Sequence, residues 1–197
     1  DAGYDVAVYN RTKAKAEPLT EFGATVVDAP VELAGRDIVF SMVSADQDIQ
    51  HVMLGEGGLL TDPDKAPQLV GDASTVSVEA SEAVRAVADE RGVGFLATPV
   101  SGNPAVIAAG KLTVAVSGPR ESYEKAEPLL QTWGRGVTYV GEGEVARIVK
   151  IAHNVFLGVV IQSMAEITVL AEKSGVKRAD FLDFLNDSVM GSVFSRY

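Results

Sequence analysis

The stretch "YDVAVYNRTKAKAE", Tyr4–Glu17, decides how the chain is read. Val6-Ala7-Val8-Tyr9 has the pattern of a short apolar strand, and Asn10-Arg11-Thr12 follows it at once. Beyond them, Ala14, Ala16 and Leu19 suit the first turns of a helix over Lys13–Phe22, with Thr12 as its N-cap. A buried strand that ends in an arginine and opens into a helix needs a reason.

Outward from this stretch, apolar β-rich runs alternate with helical ones. Strands are expected at Val6–Tyr9, Thr25–Val27, Asp37–Val43, Gln68–Gly71, Gly94–Ala97, Leu112–Ser117 and Val137–Val140. Continuous apolar runs such as Ile38-Val39-Phe40 suit strands covered on both faces. Helices are expected at Lys13–Phe22, Asp46–Met53, Val78–Arg91 and Glu121–Thr132. In "EASEAVRAVADERGVGF", Glu79–Phe95, an apolar helical stripe stops at Gly92 and a strand begins. The alternation predicts an α/β fold with a doubly wound sheet and right-handed crossovers.

The pattern changes near residue 141. Glu144–Ser174 contains no proline and one glycine, and reads as one long helix. Its middle, Val155–Ile161, is apolar nearly all round, which predicts burial between domains or in an oligomer interface. Gly175 ends the helix, and "RADFLDFLND", Arg178–Asp187, begins another. Residues 1–140 therefore read as a nucleotide-binding-type domain, and residues 141–197 as a long helix opening an all-helical domain. The chain stops before that domain is expected to close its own core.

The net charge of −10 argues against nucleic acid or an anionic membrane as a standing partner. It leaves room for an anionic small molecule, because a local site can be basic on an acidic protein. With no cysteine there is neither disulfide nor thiolate chemistry, and a reducing cytoplasm is compatible. No apolar run is read as reaching the roughly 18 residues of a membrane span, and no signal peptide is expected at the N-terminus.

Four motifs carry candidate chemistry, each beside a plainer reading. In a Rossmann-type sheet, the residue ending the second strand meets the adenosine ribose. An acid there bonds the 2′-hydroxyl of NAD, whereas an arginine holds the 2′-phosphate of NADP with a planar fork of donors. Arg11 fits that role, with Asn10 and Thr12 beside it; the alternative is a solvated loop residue. "ATPVSGNPAVIAAGKL", Ala97–Leu112, places Ser101-Gly102-Asn103 after a strand end and before a short helix. Such a concavity suits a carboxylate or phosphate, or is a plain turn. "VKIAHN" sets Lys150 and Asn154 four residues apart, on one helix face, among Ile148, Val149, Ile151, Val155 and Phe156. A lysine in apolar surroundings gives up its proton more easily, as a general acid/base must; the alternative is a lysine snorkelling at a domain boundary. Asp72-Ala73-Ser74-Thr75 follows a strand end, where doubly wound folds bind ligands, or is a helix cap at Thr75 or Ser77. The two histidines, His51 and His153, are far apart and show no metal-ligand spacing, so no metal site is expected.

In this order, "VYNRT", "FSMVSADQDIQHVMLGEGGLL", "DASTVS", "PVSGNPAVIAAGKL" and "KIAHN" resemble the β-hydroxyacid dehydrogenase family, relatives of 3-hydroxyisobutyrate and 6-phosphogluconate dehydrogenases. The resemblance covers essentially the whole chain. It implies a Rossmann domain, a long interdomain helix, an all-α domain, and reversible oxidation of a small β-hydroxyacid with NADP or NAD. It implies Lys150 as the catalytic lysine and Asn154 as the residue that orients substrate. Ser101, Gly102 and Asn103 match the loop for the substrate carboxylate, and Arg11 the position that signals NADP. Met42, Val43 and Ser44 match a loop against the cofactor, and Thr75 a residue near the nicotinamide ribose. A cytoplasmic enzyme, homo-oligomeric when full length, is implied as well.

The departures are specific. The family's first strand and its G-x-G-x-x-G turn are expected ahead of Asp1, so weak cofactor binding and little activity are expected of this chain alone. The family acid two residues before Pro99 is Ala97 here. The glycines before the lysine, Gly141 and Gly143, stand three residues further from it than usual. Two other readings compete: an imine reductase on the same scaffold, against which Lys150 argues, and a non-catalytic NADP-binding protein.

Overall fold

Alternation of buried side chains across single strands shows how the sheet is covered. In the computed structural model, which describes residues 2–188, 190 and 191, β3 (Ile38–Ser41), β4 (Leu69–Asp72) and β5 (Gly94–Ala97) pair in parallel. Val70 and Phe95 point into one apolar cluster with Ile49, Met53, Val84 and Ala88. Their neighbours Leu69 and Leu96 point into another, with Val114, Tyr123, Ala126 and Leu130. The first cluster is closed by α1 (Asp46–Leu54) and α2 (Val78–Glu90), the second by α4 (Arg120–Leu130). Burying a side chain the size of Phe95 contributes about 1.5–3 kcal/mol. Helices on both faces of one sheet make the expected α/β, Rossmann-like architecture.

The sheet is mixed rather than purely parallel. After β5, Pro99 interrupts the chain, and β6 (Val100–Ser101) leads through α3 (Pro104–Ala108) into β7 (Leu112–Ser117). β7 runs antiparallel to both β5 and β6, with Ala97 opposite Ser117 and Ser101 opposite Thr113. A parallel return needs a crossover of a dozen or more residues, and the short α3 supplies a reversal instead. α4 is long enough, and β8 (Gly134–Gly141) comes back parallel to β7. The six-stranded order is β3-β4-β5-β7-β6, with β8 beside β7.

The opening stretch departs further from expectation. β1 (Ala7–Val8) pairs only with β2 (Thr25–Val26), in a separate two-stranded parallel sheet. The predicted helix over Lys13–Phe22 is two 3-10 segments, Lys13–Lys15 and Glu17–Phe22. Pro18 explains the correction: it has no N–H to give, and it disfavours α geometry at Glu17 before it. Thr12 makes no side-chain cap; Asn10 Oδ1 instead accepts from the Thr12 N–H at 2.9 Å.

The chain falls into two compact units, residues 1–150 and 151–197. One helix, α5 (Val145–Lys173), contributes to both, and α6 (Arg178–Asp187) belongs to the second. Within the single chain, Val155 is 62% and Phe156 65% exposed, so the cover expected between domains or in an oligomer interface is not supplied by the described residues. Among the described residues, α6 is the element that follows α5. By length and composition alone α5 is also apolar enough to cross a membrane, which corrects the expectation of no candidate span. The core helix of a globular protein has the same composition.

Candidate active site

The C-terminal ends of β3 and β4 carry the loops Met42-Val43-Ser44 and Ala73-Ser74-Thr75, and a buried carboxylate joins them. Asp72, fully buried, accepts from Ser41 Oγ at 2.6 Å and from Ser74 Oγ at 2.7 Å. Ser74 Oγ in turn accepts from the Val43 N–H at 2.8 Å. Ser77, and not Thr75, caps α2, accepting from the Ala80 N–H at 3.1 Å. Thr75 is thereby left for another role. Met42 is 71% exposed, an apolar surface at the lip of these loops.

The same buried carboxylate reaches the helix that bears Lys150. Gly143, at φ 61°, turns the chain from β8 into α5 through a left-handed conformation that a side chain would resist. One turn later Arg147 is buried, and all three of its nitrogens are in use. Nη2 donates to Asp72 Oδ2 at 2.8 Å, Nη1 to the Ser74 carbonyl at 3.0 Å, and Nε to Glu144 Oε2 at 2.8 Å. Glu144 also accepts from Ser81 Oγ and twice from Arg85, whose guanidinium lies over the Phe95 ring. Burial pushes the Glu144 carboxyl up, but the Ser81 hydrogen bond and the Arg85 and Arg147 charges outweigh it, and its pKa is lowered. None of this was anticipated from the sequence. The available signal was the spacing of Glu144 and Arg147, three residues apart on one helix face inside an otherwise apolar run.

Lys150 stands one turn beyond Arg147 and is half-buried. Burial alone pulls its pKa below 10.5, with no carboxylate raising it. Asn154 lies in the second unit, exposed, with its Oδ1 3.3 Å from His153 Nδ1.

Ser101-Gly102-Asn103 forms the turn from β6 into α3. Asn103 is the N-cap of α3, its Oδ1 accepting from the Val106 N–H at 2.9 Å. A Cβ on Gly102 would come within 2.9 Å of both Val106 Cγ1 and Leu112 Cδ1, so the turn needs glycine for space. At the end of β1, Arg11 is 82% exposed, and its Nη1 donates to Asp48 Oδ1 of α1 at 3.2 Å. Among the described residues no group of three or more His, Asp or Glu could hold a metal.

These positions fit a dinucleotide. Two strand-end loops are locked side by side, an exposed guanidinium follows the strand of a separate two-stranded sheet and is tied to Asp48 of α1, and an exposed methionine offers an apolar contact for a ring.

Comparison with known proteins identifies the family. The sequence profile described as the NAD binding domain of 6-phosphogluconate dehydrogenase matches residues 1–141. The uncharacterised oxidoreductase YfjR of Bacillus subtilis is 36% identical over 199 residues, covering 100% of this chain and 69% of that protein. A 3-hydroxyisobutyrate dehydrogenase of Pseudomonas aeruginosa is 31% identical, over 97% of this chain and 64% of its own. The crystal structure of Mycobacterium tuberculosis 3-hydroxyisobutyrate dehydrogenase with L-serine superposes with a TM-score of 0.81 at 26% identity, covering 96% of this chain and 64% of that one. An imine reductase of Myxococcus stipitatus with NADP+ has a TM-score of 0.80 at 21% identity, covering 98% and 65%, which shows a common fold. The chain thus spans about two thirds of the length of these proteins. Profile, relatives and fold converge: this chain belongs to the β-hydroxyacid dehydrogenase family and carries, over residues 1–141, its NAD-binding domain.

Proposed function

We propose that the complete protein is a cytoplasmic, homo-oligomeric oxidoreductase that passes a hydride between NADP(H) and a small β-hydroxyacid or its semialdehyde. The observation that carries this reading is Lys150: a lysine with a pKa lowered by burial, on a helix anchored to two strand-end loops. Bound nicotinamide would supply the hydride acceptor or donor. The chain's part is the proton. Neutral Lys150 takes it from the substrate hydroxyl during oxidation and returns it to the carbonyl oxygen during reduction. A pKa below the ordinary lysine value brings both protonation states within reach.

Ser101, Gly102 and Asn103 hold the substrate carboxylate. Because Asn103 Oδ1 caps α3, only its amide N–H groups remain to donate. Asn154 orients the substrate. Arg11 selects NADP: one nitrogen bonds Asp48, and the rest of its fork is free for a 2′-phosphate. Asn10 and Thr12 flank that phosphate, Met42, Val43 and Ser44 line the cofactor, and Thr75 bonds its nicotinamide ribose. NAD remains a usable cofactor at lower affinity.

The test is steady-state turnover of the complete protein with a panel of small β-hydroxyacids, using NADP+ and NAD+ in parallel. Lys150→Ala is expected to lose about 10²–10⁴ in kcat while NADPH binding stays near wild type. Wild-type-like turnover in that variant refutes the assignment, as does turnover of cyclic imines alone, or tight NADPH binding with no turnover. Arg11→Asp is expected to shift preference towards NAD, and an unchanged ratio removes Arg11 from the site.

A further inference from the structure

Arg147 and Asp72 form a buried ionic centre that no catalytic step uses. Buried ion pairs rarely add net stability, because desolvating two charges costs about what their attraction returns. What they do fix is geometry, and this one binds three separate pieces of chain. Asp72 gathers a serine of β3 and a serine of the loop after β4 through Ser41 Oγ and Ser74 Oγ. Ser74 Oγ holds the Val43 N–H, and the Ser74 carbonyl accepts from Arg147 Nη1. The Arg147 fork is anchored behind by Glu144, which Ser81 and Arg85 of α2 hold in turn. With every donor of the network paired, each bond limits the freedom of the next.

We infer that Arg147, Asp72 and Ser74 are positioning residues, a lock that holds the Met42–Ser44 and Ala73–Thr75 loops in register with each other and with the turn of α5 that presents Lys150. Asp72, Ser74 and Arg147 are all buried. The lock acts through Val43, Thr75 and Lys150, and so rests on the cofactor-site reading above. Ser74 is its most sensitive point, since one hydroxyl bridges the carboxylate and the other loop's backbone. Lysine in place of Arg147 keeps the charge but cannot span Asp72, the Ser74 carbonyl and Glu144 at once.

The experiment uses the complete protein with two substitutions, Ser74→Ala and Arg147→Lys, and reads NADPH affinity by cofactor fluorescence, kcat, hydroxyacid KM and Tm. Ser74→Ala is expected to fold and to weaken NADPH binding about tenfold, the effect of one lost buried hydrogen bond. Arg147→Lys is expected to lower kcat about tenfold or more, with hydroxyacid KM little changed, because the turn carrying Lys150 loses its tether to the loops. A purely structural role lowers Tm and leaves NADPH affinity and kcat per folded molecule unchanged; that result in both variants overturns the lock. If Arg147→Lys does not fold, Ser74→Ala decides alone. Wild-type protein that binds NADPH but oxidises no hydroxyacid defeats the proposed chemistry, while the affinity arm still decides the lock.

Discussion

The two stretches of α5 invert the usual rule of burial. Glu144 and Arg147 are charged and buried; Val155, Phe156 and Val159 are apolar and exposed. Arg147 and the exposed stretch lie on one continuous helix, and Glu144 immediately precedes it. The difference teaches that burial here follows partners and not polarity. The first turn meets strand ends already furnished with a carboxylate, serines and a second arginine, so its charges are paired before they are desolvated. Further along α5, Val155, Phe156 and Val159 have no such paired groups around them and are exposed among the described residues.

The comparison breaks first at Arg147. Arg147→Ala leaves Asp72 without its cation and is expected to cost about 3–5 kcal/mol in urea denaturation. A loss below about 1 kcal/mol would mean that water had replaced the guanidinium. Glu144 is next. Its lowered pKa contributes stability that is fully present above pH 4.5 and is lost as pH falls through the folded value. Glu144→Gln is therefore expected to cost about 1.5–3 kcal/mol at neutral pH and to flatten the acid limb of Tm below pH 4.5. An acid limb identical to wild type would place the titration elsewhere.

Lys150 gives a smaller effect of the opposite sign. Its folded-state pKa is lowered, so the charged form costs stability at pH values below it, and that cost disappears as pH rises towards 10.5. Lys150→Met should raise Tm at pH 7 and give no gain above pH 10.5. In the complete protein, wild-type oxidation should rise with pH through the lowered lysine value, and reduction should fall over the same range. The smallest effect belongs to the exposed stretch: Phe156→Ser in the 197-residue chain should move stability by less than about 0.5 kcal/mol. A large loss there would show that Phe156 is covered after all.

Much of the fold was legible in the sequence because the sheet is covered on both faces. Ile38-Val39-Phe40 announced a buried strand, and β5, β7 and α6 fall at the residues expected. The 3-10 segments were missed because the apolar spacing of Ala14, Ala16 and Leu19 outweighed a single Pro18. The reversal of β7 was missed because strand direction is set by the length of a connection, not by the strand's own residues. Within the site, Lys150 and Ser101–Asn103 stood out by chemistry in an unexpected setting. The Asp72–Arg147 lock did not, since its members lie 75 residues apart and a buried salt bridge leaves no periodic mark. Arg85 and Ser81, which complete it, look like ordinary residues of an amphipathic helix.

Arg11 belongs to a two-stranded ribbon, whereas Asp72 and its neighbours belong to the six-stranded sheet, and no strand pairing joins the two among the described residues. Selection can therefore act on them separately. Replacements at Arg11 fall on an exposed turn with a single ion pair to disturb. Replacements near the lysine fall on a network in which almost every atom has a committed partner. Lineages built on this arrangement should replace Arg11 far more often than they lose the guanidinium of Arg147, one turn before the lysine.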